Sequence, residues 1–212
     1  YWVKSLQGLT LKNVELSVFQ NNQKKYSLFG ELLFTHFGIS GPIVLTMSKE
    51  ISNLMKNGEV KLSIDLKPAL DFTKLDNRLQ RDFLKFKNRA FKNSLDELLP
   101  KSMIPIIIDL SGIKPDKQAN SITREERHNL LGILKGLNMT VTKVLGFEHS
   151  LVTSGGVNIR EIDPKTMRSK LIENLFFAGE IVDVDGPTGG YNLQACWSMG
   201  YVAGESAVIT YI

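Results

Sequence analysis

Little in this sequence of 212 residues suggests a catalytic side chain. It has one cysteine, Cys196, and three histidines, so no intrachain disulfide can form and no Cys/His cluster has metal-ligand spacing. Paired carboxylates with metal spacing are also missing, and we predict no metal site. Neither the GxGxxG fingerprint of dinucleotide-binding folds nor the Gly-Lys-Ser/Thr of a phosphate loop occurs. The glycines of this chain must therefore serve another purpose.

Targeting signals and lipid-crossing segments are equally scarce. No apolar run follows Trp2 and Lys4, so the sequence predicts no signal peptide here. The uncharged stretch 186–204 is long enough to span a bilayer, but its polar side chains and five glycines disfavour lipid. A net charge of +4 is weak evidence for nucleic acid or anionic membrane. We expect a soluble, cytoplasmic protein with no membrane partner and no nucleic-acid partner.

The first part of the chain has the patterns of β-structure with one helix. A helix is predicted to begin at Pro42, capped by Ser40 or Gly41, and to end at Gly58. Alternation of apolar and polar residues predicts strands on both sides of it and again later in the chain. The predicted strands are 11–19, two short strands within 26–35, 59–66, and a β-rich stretch over 139–147.

The middle of the chain, 67–137, has helical patterns separated by Pro, Gly and Ser/Asn. Asp71 is a candidate N-cap, and Thr123 with Glu126 has the spacing of a capping box. Helices are predicted over 71–88, 94–100, 102–112 and 123–137. The basic run 85–93 could bind phosphate or nucleic acid, but its two phenylalanines have the spacing of an amphipathic helix. We interpret this run as a solvated helix face.

The last part combines a strand, a glycine-rich turn and a helix start. The apolar run 174–179 predicts a buried strand, and Glu180 at its end can accept hydrogen bonds from ligand hydroxyl groups. A helix from about Tyr191 has unpaired N–H groups and a positive dipole end, which favour a negative ligand atom. A purely structural strand–turn–helix explains these residues equally well. Cys196 and Trp197 are interpreted as packing and core residues.

Three stretches carry a family resemblance: "GELLFTHFGISGPIVL", "LVTSGGVNIREIDPKTMRSKL" and "LFFAGEIVDVDGPTGGYNLQACWSMGYVAG". They resemble the YhiN-type family of NAD(P)/FAD-dependent oxidoreductases, which is related to BaiN and aminoacetone oxidase. The resemblance implies an α+β fold that forms part of an α/β flavoprotein. Its parts would be a β-rich barrel-like domain (1–66 and 138–150), an inserted helical domain (67–137) and the C-terminal portion of an FAD-binding domain (151–212).

The resemblance also implies a cofactor, a reaction and a set of binding residues. Family proteins bind FAD, partly through an N-terminal Rossmann segment that is not in this sequence, which begins at Tyr1. We therefore expect a fragment that is inactive alone and holds FAD weakly or not at all. A small-molecule substrate is implied, and NAD(P)H as electron donor stays open. The implied FAD contacts are Thr153, Gly155, Gly156, Gly179, Glu180, Asp183, Gly189, Gly190, Tyr191 and Asn192.

The sequence leaves three alternatives open. His36 is a weak candidate for a catalytic proton donor beside the flavin, and a structural role in its turn is favoured. Asp183 and its neighbour Asp185 either order the glycine-rich turn or contact FAD. For the whole chain, the alternative function is a stand-alone module that binds a protein or nucleic acid through the basic face at 85–92, with a vestigial flavin site.

Overall fold

The structure is a computed structural model that describes residues 2–146, 148, 150 and 152–210. It divides into two compact units, Tyr1–Thr142 and Lys143–Ile212. None of the helices in the described part of the chain is both long enough and apolar enough to cross a bilayer. The two units are described separately below.

The first unit is built on a five-stranded antiparallel sheet in the order β3-β2-β1-β4-β5, which curls into a half-barrel. The alternation that predicted β1 is real, because Val14, Leu16 and Val18 are all buried on one face. The predicted α+β class with a barrel-like sheet is confirmed. The strands are β1 Thr10–Gln20, β2 Gln23–Phe34, β3 Ile39–Ser40, β4 Lys61–Asp65 and β5 Leu137–Thr140.

One strand, β2, stands where two short strands were predicted over 26–35. Asn21 and Asn22 have positive φ of 52° and 60° and join β1 to β2 in a two-residue hairpin. Pairing with β1 continues through Gly30, which pairs with Val14 at the edge of a register shift. A Cβ at Gly30 would lie 2.6 Å from Ile43 Cγ2, so this glycine leaves room for the helix that packs there. The strand therefore continues where the sequence suggested a break.

The last strand, β5, begins earlier and ends earlier than the predicted stretch 139–147. Its ladder with β4 runs from Ile64↔Leu137 to Lys61↔Thr140, and the N–H of Val141 then donates to Val60 O at 2.9 Å. Pairing stops there because β4 itself begins at Lys61. Phe147, the end of the predicted stretch, lies outside the described residues.

The described residues of the first unit form five α-helices: α1 Trp2–Ser5, α2 Pro42–Met55, α3 Phe72–Lys85, α4 Ile104–Ser111 and α5 Arg124–Lys135. Gly41 is the N-cap of α2, with φ 99° and no side-chain cap. Asp71 caps α3, and Thr123 with Glu126 forms the predicted capping box on α5. The helix predicted over 94–100 is absent, and these residues form bends and one turn. Their leucines are buried, and the chain reaches Pro100, which disfavours a helix, directly after that turn.

The helical segment follows β4 and returns to β5, and it shares one hydrophobic core with the sheet. A polar contact fixes the junction from inside. Lys135 on α5 pairs with Asp65 of β4 and donates to Leu70 O at 2.7 Å. Both side chains are largely buried, so this ion pair joins the helical segment to the sheet at a defined place.

The second unit contains one long helix, α6 Tyr191–Thr210, preceded by turns. Residues 174–179 form an isolated bridge, Arg168↔Phe176, instead of the predicted strand. Met167 and Asn174 both have positive φ, near 60°, and these reversals interrupt any longer ladder. A small core, Ile162, Met167, Val182 and Ala203, holds α6 against the turns.

Candidate functional site

The glycine-rich turn at 153–156 is joined edge to edge with the segment that follows Gly179. The N–H of Val157 donates to Ile181 O at 2.8 Å, and the N–H of Asp183 donates to Val157 O at 3.0 Å. Gly156, with φ 147°, sits at the closest approach, because a Cβ there would lie 2.3 Å from Ile181 O. Only glycine allows these two backbones to meet so closely.

The segment 179–183 turns sharply beside the last helix. Gly179 has φ 83° and opens a short 3-10 turn, Gly179–Ile181, that contacts α6. A Cβ on Gly179 would lie 4.0 Å from Cys196 Sγ, which places the half-buried thiol next to this turn. Val182 is buried in the small core and anchors the segment, whereas the side chain of Glu180 is exposed.

The loop into α6 ends on a glycine pair with positive φ, 131° at Gly189 and 89° at Gly190. The side chain of Asn192 closes this loop: the N–H of Gly186 donates to its Oδ1 at 2.7 Å, and its Nδ2 donates to Gly186 O at 3.1 Å. Both ends of the amide are thereby used on the loop itself. Asn192 thus holds the loop in shape, and its contact with FAD, implied by the resemblance, stays a prediction.

The ten sequence-derived positions all lie within the second unit, in the segments 153–156, 179–183 and 189–192. Gly155, Gly189 and Gly190 are exposed, and a Cβ added at Gly155 or Gly190 would meet nothing within 4 Å. Gly189 and Gly190 directly precede α6, where the first N–H groups have no helical acceptor. The carboxylates of Glu180 and Asp183 are exposed in the same unit. Such a surface can accept a flat polar ring or an anionic group at the helix start.

His36, the weak catalytic candidate, lies in the first unit, in the turn between β2 and β3. This turn is closed by Thr35, whose N–H donates to Gly38 O at 2.8 Å and whose hydroxyl donates to the same oxygen at 3.2 Å. The exposed His36 ring meets Phe37 edge-on, with 5.0 Å between ring centroids. The hydrogen bonds that shape the turn therefore come from Thr35.

Trp197 was predicted to be a core residue and is instead 66% exposed. Helix α6 presents Met199, Val202 and Ala203 to the small core, and Trp197 lies on another face of the helix. Leu193 and Tyr201, one turn to either side of Trp197, are also exposed. The helix is apolar on more than one side, a property that periodicity could have revealed. Among the described residues, no His, Cys, Asp and Glu cluster could hold a metal ion.

Comparison with known proteins assigns the family. A family described as "HI0933-like protein barrel and H2TH domain" matches residues 1–152. The chain is 31% identical over 179 residues to "3-dehydro-bile acid delta(4,6)-reductase" of Clostridium scindens, covering 84% of this chain and 44% of the relative. It is 36% identical over 180 residues to "Ribosomal RNA dihydrouridine synthase" of Haemophilus influenzae (85% and 43%), and 33% identical over 177 residues to the protein of that name from Escherichia coli (84% and 42%).

The chain thus spans less than half the length of these relatives, all of which are named as enzymes. The family match covers most of the chain, and the resemblance inferred from the signature stretches is confirmed. The chain belongs to the HI0933-like protein family.

Proposed function

We propose that this chain supplies part of the FAD site of an oxidoreductase that adds hydrogen to an unsaturated substrate. The observation that carries the proposal is the joining of the 153–156 turn, through Val157, to the 179–183 segment, whose Gly179–Ile181 turn contacts α6. These segments carry the family resemblance. One relative is named a reductase and two are named dihydrouridine synthases, and both names describe reactions that add hydrogen.

The residues present fit a flavin, because the site is bare backbone with open space beside it. Bound FAD would supply the redox chemistry. N–H groups at Gly190 and Tyr191 would donate to the polar edge of the ring, and Gly155 and Gly156 would provide a flat surface beside it. Glu180 would accept hydrogen bonds from ribityl hydroxyl groups. Since the protein contributes binding and electrostatics, the site needs no nucleophile, which explains the scarcity noted in the sequence.

The proposal is tested by titrating the ¹⁵N-labelled chain with FAD and following its amide NMR signals. We expect weak binding, with shift changes confined to residues 153–157, 179–183 and 189–193. Changes confined to the first unit would contradict it. The alternative of a binding module with a vestigial flavin site predicts no FAD binding even by the full-length protein.

The substrate proposed first is a small unsaturated organic molecule, with NAD(P)H as electron donor. A second candidate is a uracil base within RNA, as in the named activity of two relatives. The observation that favours it is the charge of the helical segment 67–137, which holds fourteen Lys and Arg against nine Asp and Glu. Substrate assays with RNA and with a free unsaturated ketone distinguish the two candidates.

A further inference from the structure

We propose that the helical segment binds the phosphate backbone of RNA through a cationic surface formed by Lys87, Arg89, Lys101 and Lys114. Lys87 and Arg89 lie in the turn after α3, Lys101 begins the 3-10 turn before α4, and Lys114 lies in the loop after α4. The inference rests on the second candidate in the proposed function, an RNA substrate, and assigns the part of the chain that would hold that RNA.

The charge of the chain is concentrated in one segment. Residues 67–137 have a net charge of +5, whereas all other residues together have a net charge of −1. The overall value of +4 is therefore the sum of a strongly basic segment and a slightly acidic remainder of the sequence. A local excess of this kind attracts polyanions, because the field depends on how charge is distributed and not only on the total.

Half of the basic residues in this segment form ion pairs. Seven of the fourteen lie within 4.0 Å of a carboxylate: Lys74, Arg78, Lys85, Lys92, Lys117, Arg127 and Lys135. The four members of the cationic surface are exposed and form no ion pair with any described residue. Their charges are available to a ligand without first breaking an internal contact.

The basic run at 85–93 is a turn instead of the predicted amphipathic helix, and this changes the interpretation of its charges. Only Lys85 belongs to α3, and Phe86 and Phe91 are both buried, at 8% and 0% exposure. These two rings anchor the turn from below. The Arg89 guanidinium carbon lies 4.7 Å from the centroid of the Phe86 ring, which holds this cation at the surface.

Backbone pairing brings the turn and the second loop together. The N–H of Phe91 donates to Lys117 O at 2.7 Å, the N–H of Lys92 donates to Pro115 O at 3.0 Å, and the N–H of Ala119 donates to Arg89 O at 3.0 Å. Lys114 directly precedes this pairing. Backbone hydrogen bonds therefore hold the lysines and the arginine of the turn and the loop close to one another.

A groove of about 880 Å³ extends this framework to Lys101. Lys92, Lys101 and Lys114 line it, together with the carboxylates of Asp96 and Asp109. The isoleucines along the groove are at most 7% exposed and belong to the core. The exposed charged groups of the groove are three lysines against two carboxylates, and this excess of cations favours a phosphate backbone.

The test is RNA binding by the full chain, measured by fluorescence anisotropy with a labelled single-stranded RNA of about 16 nucleotides. Four phosphate contacts predict a slope of log K against log salt near −3, so affinity should fall roughly fiftyfold between about 50 and 200 mM KCl. The variant with Lys87, Arg89, Lys101 and Lys114 all changed to Gln should lose at least tenfold in affinity at the lower salt, with a much flatter slope.

The matched control changes four exposed lysines outside the helical segment to Gln: Lys4, Lys12, Lys25 and Lys56. It has the same net charge as the test variant and should bind RNA nearly as wild type. Equal losses in both variants, or no loss in either, would overturn the proposal. So would tighter binding of polyglutamate than of RNA, which would indicate an acidic protein partner. FAD titration of the same samples reports separately on the flavin site, and thermal melts confirm that both variants fold.

Discussion

The close approach of Gly156 to Ile181 allows a quantitative test of the candidate site. In Gly156→Ala, the new Cβ would lie 2.3 Å from Ile181 O and 2.9 Å from its carbonyl carbon. Because real contacts of this kind are never so short, the two backbones must separate. The bonds Val157 N–H to Ile181 O and Asp183 N–H to Val157 O would then be lost.

The cost can be estimated from these contacts. Two hydrogen bonds contribute about 1 kcal/mol each. The φ of 147° adds backbone strain of about 1 to 2 kcal/mol for a residue with a Cβ. Gly155→Ala is the matched control, because Gly155 has φ 107° but its Cβ would meet nothing within 4 Å. The two variants should therefore differ by about 2 kcal/mol in the stability of this pairing.

Native-state hydrogen exchange at the Val157 and Asp183 amides measures this difference. Exchange in Gly156→Ala should be about thirtyfold faster than in Gly155→Ala, since about 1.4 kcal/mol is a factor of ten. Equal exchange rates in the two variants would show that the turn and the 179–183 segment are not joined as described. The conclusion that these segments form one site would then fail.

Two further predictions concern polar contacts. Arg127 donates to Asp76 at 2.7 Å and holds the pKa of that carboxyl below its ordinary value. The pair therefore stabilises the fold at neutral pH, and this stabilisation is lost as the pH falls through the lowered pKa. Asp76→Asn should cost about 2 kcal/mol at pH 7, measured by urea unfolding, and progressively less as the pH falls through that pKa; a cost that does not change with pH would refute it. Asn192→Ala should free the loop at Gly186, so hydrogen exchange at the Gly186 amide should become faster. An unchanged exchange rate would show that the Asn192 side chain does not hold this loop.

Local signals in the sequence were sufficient for much of the fold. Asp71 and Thr123 cap their helices as predicted, because capping depends on residues three positions apart. The strand alternation at Val14, Leu16 and Val18 was likewise readable. The continuity of β2 could not be predicted, because it depends on Gly30 leaving room for Ile43 of helix α2. Distant packing of this kind leaves no local pattern.

The residue types of the candidate site could be predicted from the sequence, but the contacts between them could not. The glycines at 155–156 and 189–190 were identified from composition and resemblance, and all four have positive φ. Neither the partner of Gly156 nor the use of the Asn192 amide could be inferred, because both depend on how separate turns meet. Trp197 was interpreted as a core residue, although its helix face is exposed.

FAD affinity of the natural protein, with Gly190→Val and Cys196→Ala variants, tests the central proposal most directly. Gly190 has φ 89°, so valine strains the backbone at the helix start whose N–H groups would face the flavin. We predict that wild type and Cys196→Ala bind FAD equally. Gly190→Val should bind it at least tenfold more weakly, a loss of about 1.4 kcal/mol, and any retained flavin should be harder to reduce. Unchanged affinity and reduction potential in Gly190→Val would contradict the account.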